Sequence, residues 1–349
     1  MVVPSLLGCV MLDLQGLSLT GDEERRLQHP ATGGVILFSR NYEHPKQLQH
    51  LITAIRRLRP QILIAVDHEG GRVQRFRRGF TRIAPAGRYR ELAGAAAAEA
   101  TSIAAAAGWL MAAELRASDI DFSFAPVLDV DSGVSQIIGD RAFSQGGEEV
   151  SSLAGAFFRG MQRAGMAGVG KHFPGHGSVA EDSHLALPVD RRTWEEIECR
   201  DLIPFRALID AGLEGIMPAH VLYPLCDDRP AGFSPFWIRE VLRQRLGFAG
   251  AIFSDDLSMA GAEAGGDYIA RAQCALAAGC DMVLVCNAPE QADAVLDALP
   301  KESKEPDPNL QIRLTAMRGR FPIDPQKLLA SSEWREAVAR LETLSEDAR

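Results

Sequence analysis

Eight short apolar runs, each ending on a polar residue and each followed by a helix-like stretch, organise the 349-residue chain. They are SLLGCVMLD (5–13), GGVILFSRN (33–41), QILIAVDHE (61–69), DFSFAPVLD (121–129), GVGKHFPGH (168–176), EGIMPAH (214–220), GAIFSDD (250–256) and CDMVLVCN (280–287). Runs that are continuously apolar, without alternation, suit strands covered on both faces, as in a parallel sheet. The segments 45–59, 93–117, 151–165, 193–212, 234–247 and 269–279 read as helices, several closing on a glycine at the C-cap. Eight strands alternating with helices predict a TIM-like (β/α)8 barrel, one domain spanning residues 1–349. A doubly wound open sheet is the alternative, but no GxGxxG or GxxxxGK[ST] loop follows the early strands. The charged, proline-containing PKESKEPDPNL (300–310) reads as a linker. The roughly 40 residues after it suit terminal helices and are too few for a second full domain.

A hydrophobic content of 46% with 24% charged residues fits a soluble globular chain with a large core. The formal charge of −9 argues against nucleic acid or an anionic membrane as partner. The run RVQRFRRGFTR is an exception in charge and, taken alone, a solvated basic face. The apolar N-terminal run has no basic residue before Arg25 and so reads as a buried strand, not a signal peptide. The alanine-rich stretch 93–113 is interrupted by Glu99, Thr101 and Ser102, which favours a long soluble helix over a membrane span. Six cysteines without a CxxC pair suggest reduced, buried thiols, and the expected location is the cytoplasm.

In a barrel, chemistry sits where strands end at the C-terminal rim. The polar residues closing these runs are Asp67, Lys171, His172, His220, Asp255 and Asn287. Several charges converging on one rim are costly unless used. KHFPGHGSVAEDSH (171–184) then poses a choice between a metal site, an acid/base loop and an ordinary polar loop. His172 and His176 are four apart, but Pro174, Gly175 and Gly177 break a helix there, and no HExxH or Cys/His ligand pattern accompanies them. A metal is disfavoured, and the glycines predict a mobile loop.

At its far end, Asp182 lies two residues before His184, so in extended chain the carboxylate reaches the imidazole and tunes it as a proton donor. The plainer alternative is a turn-capping Asp182 and an ordinary loop His184. GAIFSDD delivers Asp255 to the rim as a candidate nucleophile, while Asp256 should face elsewhere and cap the following turn.

Taken together, VDHEGGRVQRF, GDRAF, GKHFPGHGSVAEDSH and FSDDLSM, in this order and spacing, resemble glycoside hydrolase family 3. The likeness is to its single-domain bacterial β-N-acetylglucosaminidases and covers nearly the whole chain. The resemblance implies Asp255 as nucleophile, His184 as acid/base and Asp182 as its dyad partner. It further implies that Asp67, Arg75, Arg141, Lys171 and His172 bind a terminal N-acetylglucosamine. The implied activity is a retaining exo-β-N-acetylglucosaminidase, a hydrolase acting on N-acetylglucosaminyl muropeptides in cytoplasmic peptidoglycan recycling. Neither cofactor nor metal is implied, and a monomer is expected.

Three positions depart from the common pattern: His68 replaces a glutamine, Ser178 stands at a variable loop position, and Ala260 replaces an acidic residue. Altered binding is the most these should cause. Phosphate instead of water as acceptor, and an acetamido nucleophile, remain as variants. A metal-dependent barrel hydrolase and a non-catalytic sugar-binding barrel are the rivals from other classes.

Overall fold

The computed structural model describes residues 6–92, 96–183, 186–299 and 308–346. Each of the eight apolar runs contributes a parallel strand: β1 (Val10–Asp13), β2 (Thr32–Leu37), β3 (Leu63–Val66), β4 (Phe122–Ser123), β5 (Val169–Phe173), β6 (Gly215–Pro218), β7 (Ala251–Asp256) and β8 (Met282–Val285). Hydrogen bonding joins them in the order β4-β3-β2-β1-β8-β7-β6-β5, every neighbour parallel. The two ends meet through parallel bridges from Phe122 to Ala167 and from Val127 to Lys171, which rolls the sheet into a barrel. The expected (β/α)8 barrel is the fold.

The fourth strand is the shortest, because Pro126 interrupts its run and cannot donate to a ladder. Phe122, Phe124 and Phe253 fill the barrel interior with ring centroids 5.2–5.6 Å apart. One continuous apolar core runs from Leu7 to Leu341.

The alanine-rich segment forms the helix Ala97–Ala117, largely buried against the helix Gly147–Arg163. Small residues permit that approach: a Cβ on Gly108 would lie 2.1 Å from the Phe157 carbonyl oxygen, and one on Gly160 2.2 Å from that of Ala105. Alanine thus serves close helix packing, and no helix among the described residues is long and apolar enough to cross a membrane. The segment 193–212, read as one helix, is two: Trp194–Glu198 and Leu202–Asp210. Pro204 is the cause, since its ring would strike the Arg200 carbonyl in a continuous helix but is tolerated in a first turn. Past the expected linker, described from residue 308, the helices Pro308–Ala316, Pro325–Ala330 and Ser332–Glu346 close the chain. All six cysteines are unpaired; Cys280 and Cys286 are buried, whereas Cys199 and Cys274 are exposed, against the expectation of buried thiols.

Candidate active site

At the C-terminal rim a cavity of about 460 Å³ opens among the strand ends. Of the expected residues, Asp67, Arg75, Arg141, Lys171, His172 and Asp255 line it. Asn287 borders it as well, exposed, with its backbone amide donating to Asp13 Oδ2 at 2.8 Å. His220 does not: it is fully buried, its ring 5.3 Å from that of Phe233, a core histidine whose charged form burial disfavours.

Beyond β3 the chain makes a short hairpin, His68–Gly70 with Val73–Gln74, which presents Asp67 and Glu69 to the cavity. Lys171, on β5 and 3% exposed, places Nζ 2.8 Å from Asp67 Oδ1 and 2.7 Å from Glu69 Oε1. Arg141, on a short turn, donates to Glu69 through Nε and Nη2, both at 2.8 Å. Arg75 Nη2 lies 3.4 Å from Asp67 Oδ2, a long contact that leaves both groups free capacity for a ligand hydroxyl. Burial alone would raise the pKa of Asp67, but Lys171 and Arg75 hold it below the ordinary carboxylate value. Burial opposes Glu69 ionisation too, and Arg141 and Lys171 outweigh it. Lys171 in turn stays charged despite burial, through those two carboxylates. The result is a fixed alternation of charge along one wall, suited to a ligand dense in hydroxyl groups.

His172 stands beside it with Nδ1 2.7 Å from Asp129 Oδ2. Asp129 is fully buried and also accepts from the backbone amides of His172, at 3.2 Å, and His176, at 2.7 Å. An ionised, acceptor-only carboxylate requires a proton on Nδ1, which fixes the tautomer and leaves Nε2 for the cavity. Burial would raise the Asp129 pKa, but the facing His172 and the hydrogen bonds lower it on balance.

From β7, Asp255 reaches the cavity with Oδ1 accepting from the Asp256 amide at 2.8 Å. Asp256 was expected to face away, yet it borders the cavity too. Its carboxylate is committed: Oδ1 accepts from the amides of Ser258 at 2.9 Å and Cys286 at 3.2 Å, and Oδ2 from Ser258 Oγ at 2.7 Å. It therefore caps the turn as expected and adds a tie to β8. Burial pushes its pKa up to about 6.

Asp182 belongs to the described residues, whereas His184 lies outside them, so their pairing is not part of the described geometry. The chain just before His184 is tied down. Ser183 Oγ lies 3.1 Å from His176 Nε2, and the Ser183 carbonyl accepts from the Gly261 amide at 2.8 Å. Gly261 belongs to the segment that follows β7, so residue 183 sits on the same loop that leaves Asp255.

Of the three unusual residues, His68 faces away from the cavity, its ring 5.8 Å from both Phe76 and Phe80. Ser178 Oγ accepts from Arg200 Nη1 at 3.0 Å, and Ala260 opens a short helical turn. None of them lines the cavity. Two residues of the site escaped the sequence reading, Glu69 in the cavity lining and Asp129 buried behind His172, although both carried a signal. Glu69 lies two residues from Asp67 in extended chain, hence on the same side. Asp129 closes the fourth run just as Glu69 closes the third.

A model of the glycosyl hydrolase family 3 N terminal domain matches residues 10–316. The chain belongs to glycoside hydrolase family 3. Within this family, a beta-hexosaminidase of Methylococcus capsulatus is 61% identical over 339 residues, 97% of this chain and 100% of that protein. One from Thioalkalivibrio sulfidiphilus is 59% identical over 97% of each chain. Among solved structures, NagZ from Neisseria gonorrhoeae in complex with N-trifluoroacetyl-D-glucosamine superimposes with a TM-score of 0.91. It shares 42% identity, covering 98% of this chain and 99% of that one. The family 3 chain described here is thus a glycoside hydrolase of the β-hexosaminidase kind.

Proposed function

We propose that the chain is a retaining exo-β-N-acetylglucosaminidase with Asp255 as nucleophile and His184 as acid/base. The observation that carries this reading is the shared cavity: Asp255 faces a wall of paired charges while residue 183 is bonded to the loop leaving β7. Asp67, Arg75, Arg141, Lys171 and His172 hold the hydroxyl and acetamido groups of a terminal N-acetylglucosamine. An Asp255 oxygen bonds to the anomeric carbon as the bond to the leaving oxygen breaks, and His184 gives that oxygen its proton. His184, now neutral, takes a proton from water. The water attacks the same carbon, the ester to Asp255 breaks, and two inversions retain the β configuration. Asp182 fixes the His184 tautomer, the role carboxylates play beside catalytic imidazoles.

The natural substrate on this reading is a muropeptide fragment with N-acetylglucosamine linked to an anhydro-muramic residue, placing the enzyme in cytoplasmic peptidoglycan recycling. One barrel supplies the whole site, and the chain acts as a monomer. The amino-sugar analogue held by the gonococcal relative supports the sugar assignment. The test is turnover of a chromogenic β-N-acetylglucosaminide by wild type, Asp255→Ala and His184→Ala. Asp255→Ala should lose nearly all activity. His184→Ala should retain more on a good leaving group, which needs less protonation. A fluorosugar adduct trapped on Asp255 excludes the acetamido variant; a fully active Asp255→Ala would sink the assignment.

A further inference from the structure

The segment from Gly175 to Asp190 leaves the barrel after β5 and carries Asp182 and His184, yet its two ends rest on the same pair of residues, 222 and 223. At the near end, Tyr223 Oη donates to the Gly175 carbonyl at 2.7 Å. At the far end, the Leu222 amide donates to the Pro188 carbonyl at 2.9 Å, and the Asp190 amide donates to the Leu222 carbonyl at 2.8 Å. Tyr223 is fully buried and packs its ring 5.1 Å from that of Trp237, so its hydroxyl is a fixed post.

A second contact fixes the near end from the other side. Gly175 has φ 140°, a conformation side chains rarely adopt. A Cβ there would fall 2.7 Å from Asp201 Cβ and 2.8 Å from its Oδ1. Asp201 is itself fully buried and held by Arg192 Nη1 at 2.6 Å, while Arg192 also grips Asp190 at 2.7 Å. Gly175 is thus confined between a tyrosine hydroxyl and a buried ion-paired carboxylate.

We propose that Tyr223 is a positioning residue for the acid/base loop, fixing the start of the segment to the strand-β6 loop that also holds its end. Tyr223 touches neither Asp255 nor the charged wall of the cavity. It acts through the backbone on the group that protonates the leaving oxygen, and in this it rests on the assignment of His184 above. A loop released at Gly175 presents its acid less often, and the loss falls on the step that needs a proton.

The experiment compares wild type, Tyr223→Phe, Gly175→Ala and His184→Ala on two β-N-acetylglucosaminides, one with a dinitrophenol leaving group and one with an alkyl alcohol. Tyr223→Phe removes one hydroxyl at constant ring volume, and Gly175→Ala drives a methyl into Asp201, so the two loosen the same anchor point, Gly175, through different contacts. For both, kcat/KM, which reports the step that expels the leaving group, should fall about tenfold on the alkyl glycoside, with less than about a twofold change on the dinitrophenyl glycoside. Hydrogen exchange supplies a readout separate from catalysis: the amides of residues 176–183 should exchange faster in both variants and not in His184→Ala. Equal losses on both glycosides together with unchanged exchange overturn the anchoring role. If His184→Ala shows no dependence on the leaving group, the acid/base assignment falls, and the exchange data alone then decide the anchor.

Discussion

The Lys171 ammonium lies 2.8 Å from the Asp67 carboxylate across 104 positions of sequence, joining the end of the third strand to the fifth. Neither group would be stable there alone, because burial of an unpaired charge costs several kcal/mol. Lys171→Met leaves Asp67 and Glu69 facing each other with only Arg75 and Arg141 to offset them. The variant should lose about 3 kcal/mol of unfolding free energy in a denaturant titration. It should also lose about 10- to 100-fold in kcat/KM, the loss expected for a hydrogen bond from a charged donor. Wild-type stability in Lys171→Met would mean that the paired charges carry no structural weight.

His68 gives a pH prediction with no catalytic component. Burial pushes its pKa down to about 3, so the folded protein keeps it neutral where the unfolded chain, near the usual value of 6.5, takes up a proton. The unfolded state therefore binds more protons between those values, and stability from this group falls as pH drops below about 6.5. His68→Gln removes that dependence. Its stability relative to wild type should improve by about 2 kcal/mol on going from pH 7 to pH 5. Since the ring packs on Phe76 and Phe80 outside the cavity, kcat/KM should be unchanged. Parallel stability curves for the two proteins across that interval would refute the burial argument.

Asp256 works in the opposite direction. Its folded pKa of about 6 lies above the ordinary carboxylate value, so the folded protein binds the extra proton as pH falls through 6. Stability from this group rises from pH 6 toward pH 4, by up to about 1.4 kcal/mol per unit. Below that range the depressed carboxylates Asp67, Glu69 and Asp129 take over and stability is lost. Because His68 loses stability over the same interval, the two groups nearly offset in wild type, and Asp256→Asn should unmask a decline of about 1.4 kcal/mol per unit from pH 6 to pH 4 while leaving the acid limb in place. Chemical denaturation at half-unit pH steps measures both limbs, and an unaltered profile in the variant would remove Asp256 from the account.

These three sites differ in how far the sequence alone disclosed them. Continuous apolar runs carry the parallel strands directly, because both faces of each strand are covered, and all eight were legible. Pro126 and Pro204 each shortened an element in a way that periodicity does not register but the missing amide and the ring clash explain. Lys171, Asp67 and Asp255 were legible as polar ends of strands. The same reasoning misplaced His220, since a strand end can also turn its last side chain inward against Phe233. Asp129 was passed over because its partners, His172 Nδ1 and the His176 amide, are more than 40 residues distant and only the closed barrel brings them to it. Cavity-lining Asp256 shows the limit of the two-residue alternation rule where a strand bends into a turn.

Glu114 offers a last test, of how the terminal helices are held to the barrel. It lies on the long alanine-rich helix, nearly buried, and accepts three hydrogen bonds: from the Thr81 amide at 2.9 Å, Thr81 Oγ1 at 2.6 Å and Trp334 Nε1 at 2.9 Å. Thr81 belongs to the segment that begins at Arg75, and Trp334 to the final helix, so one carboxylate joins three parts of the chain. Glu114→Gln keeps the volume but supplies one acceptor oxygen and one donor NH2 group where two acceptors are needed. In either amide orientation a donor is set against a donor, an arrangement costing about 2 kcal/mol. The variant should melt at a lower temperature, and tryptophan emission should shift where the amide turns its NH2 toward Trp334, the orientation that spares the Thr81 amide. A variant with wild-type melting and emission would show that the terminal helices are held by apolar packing alone.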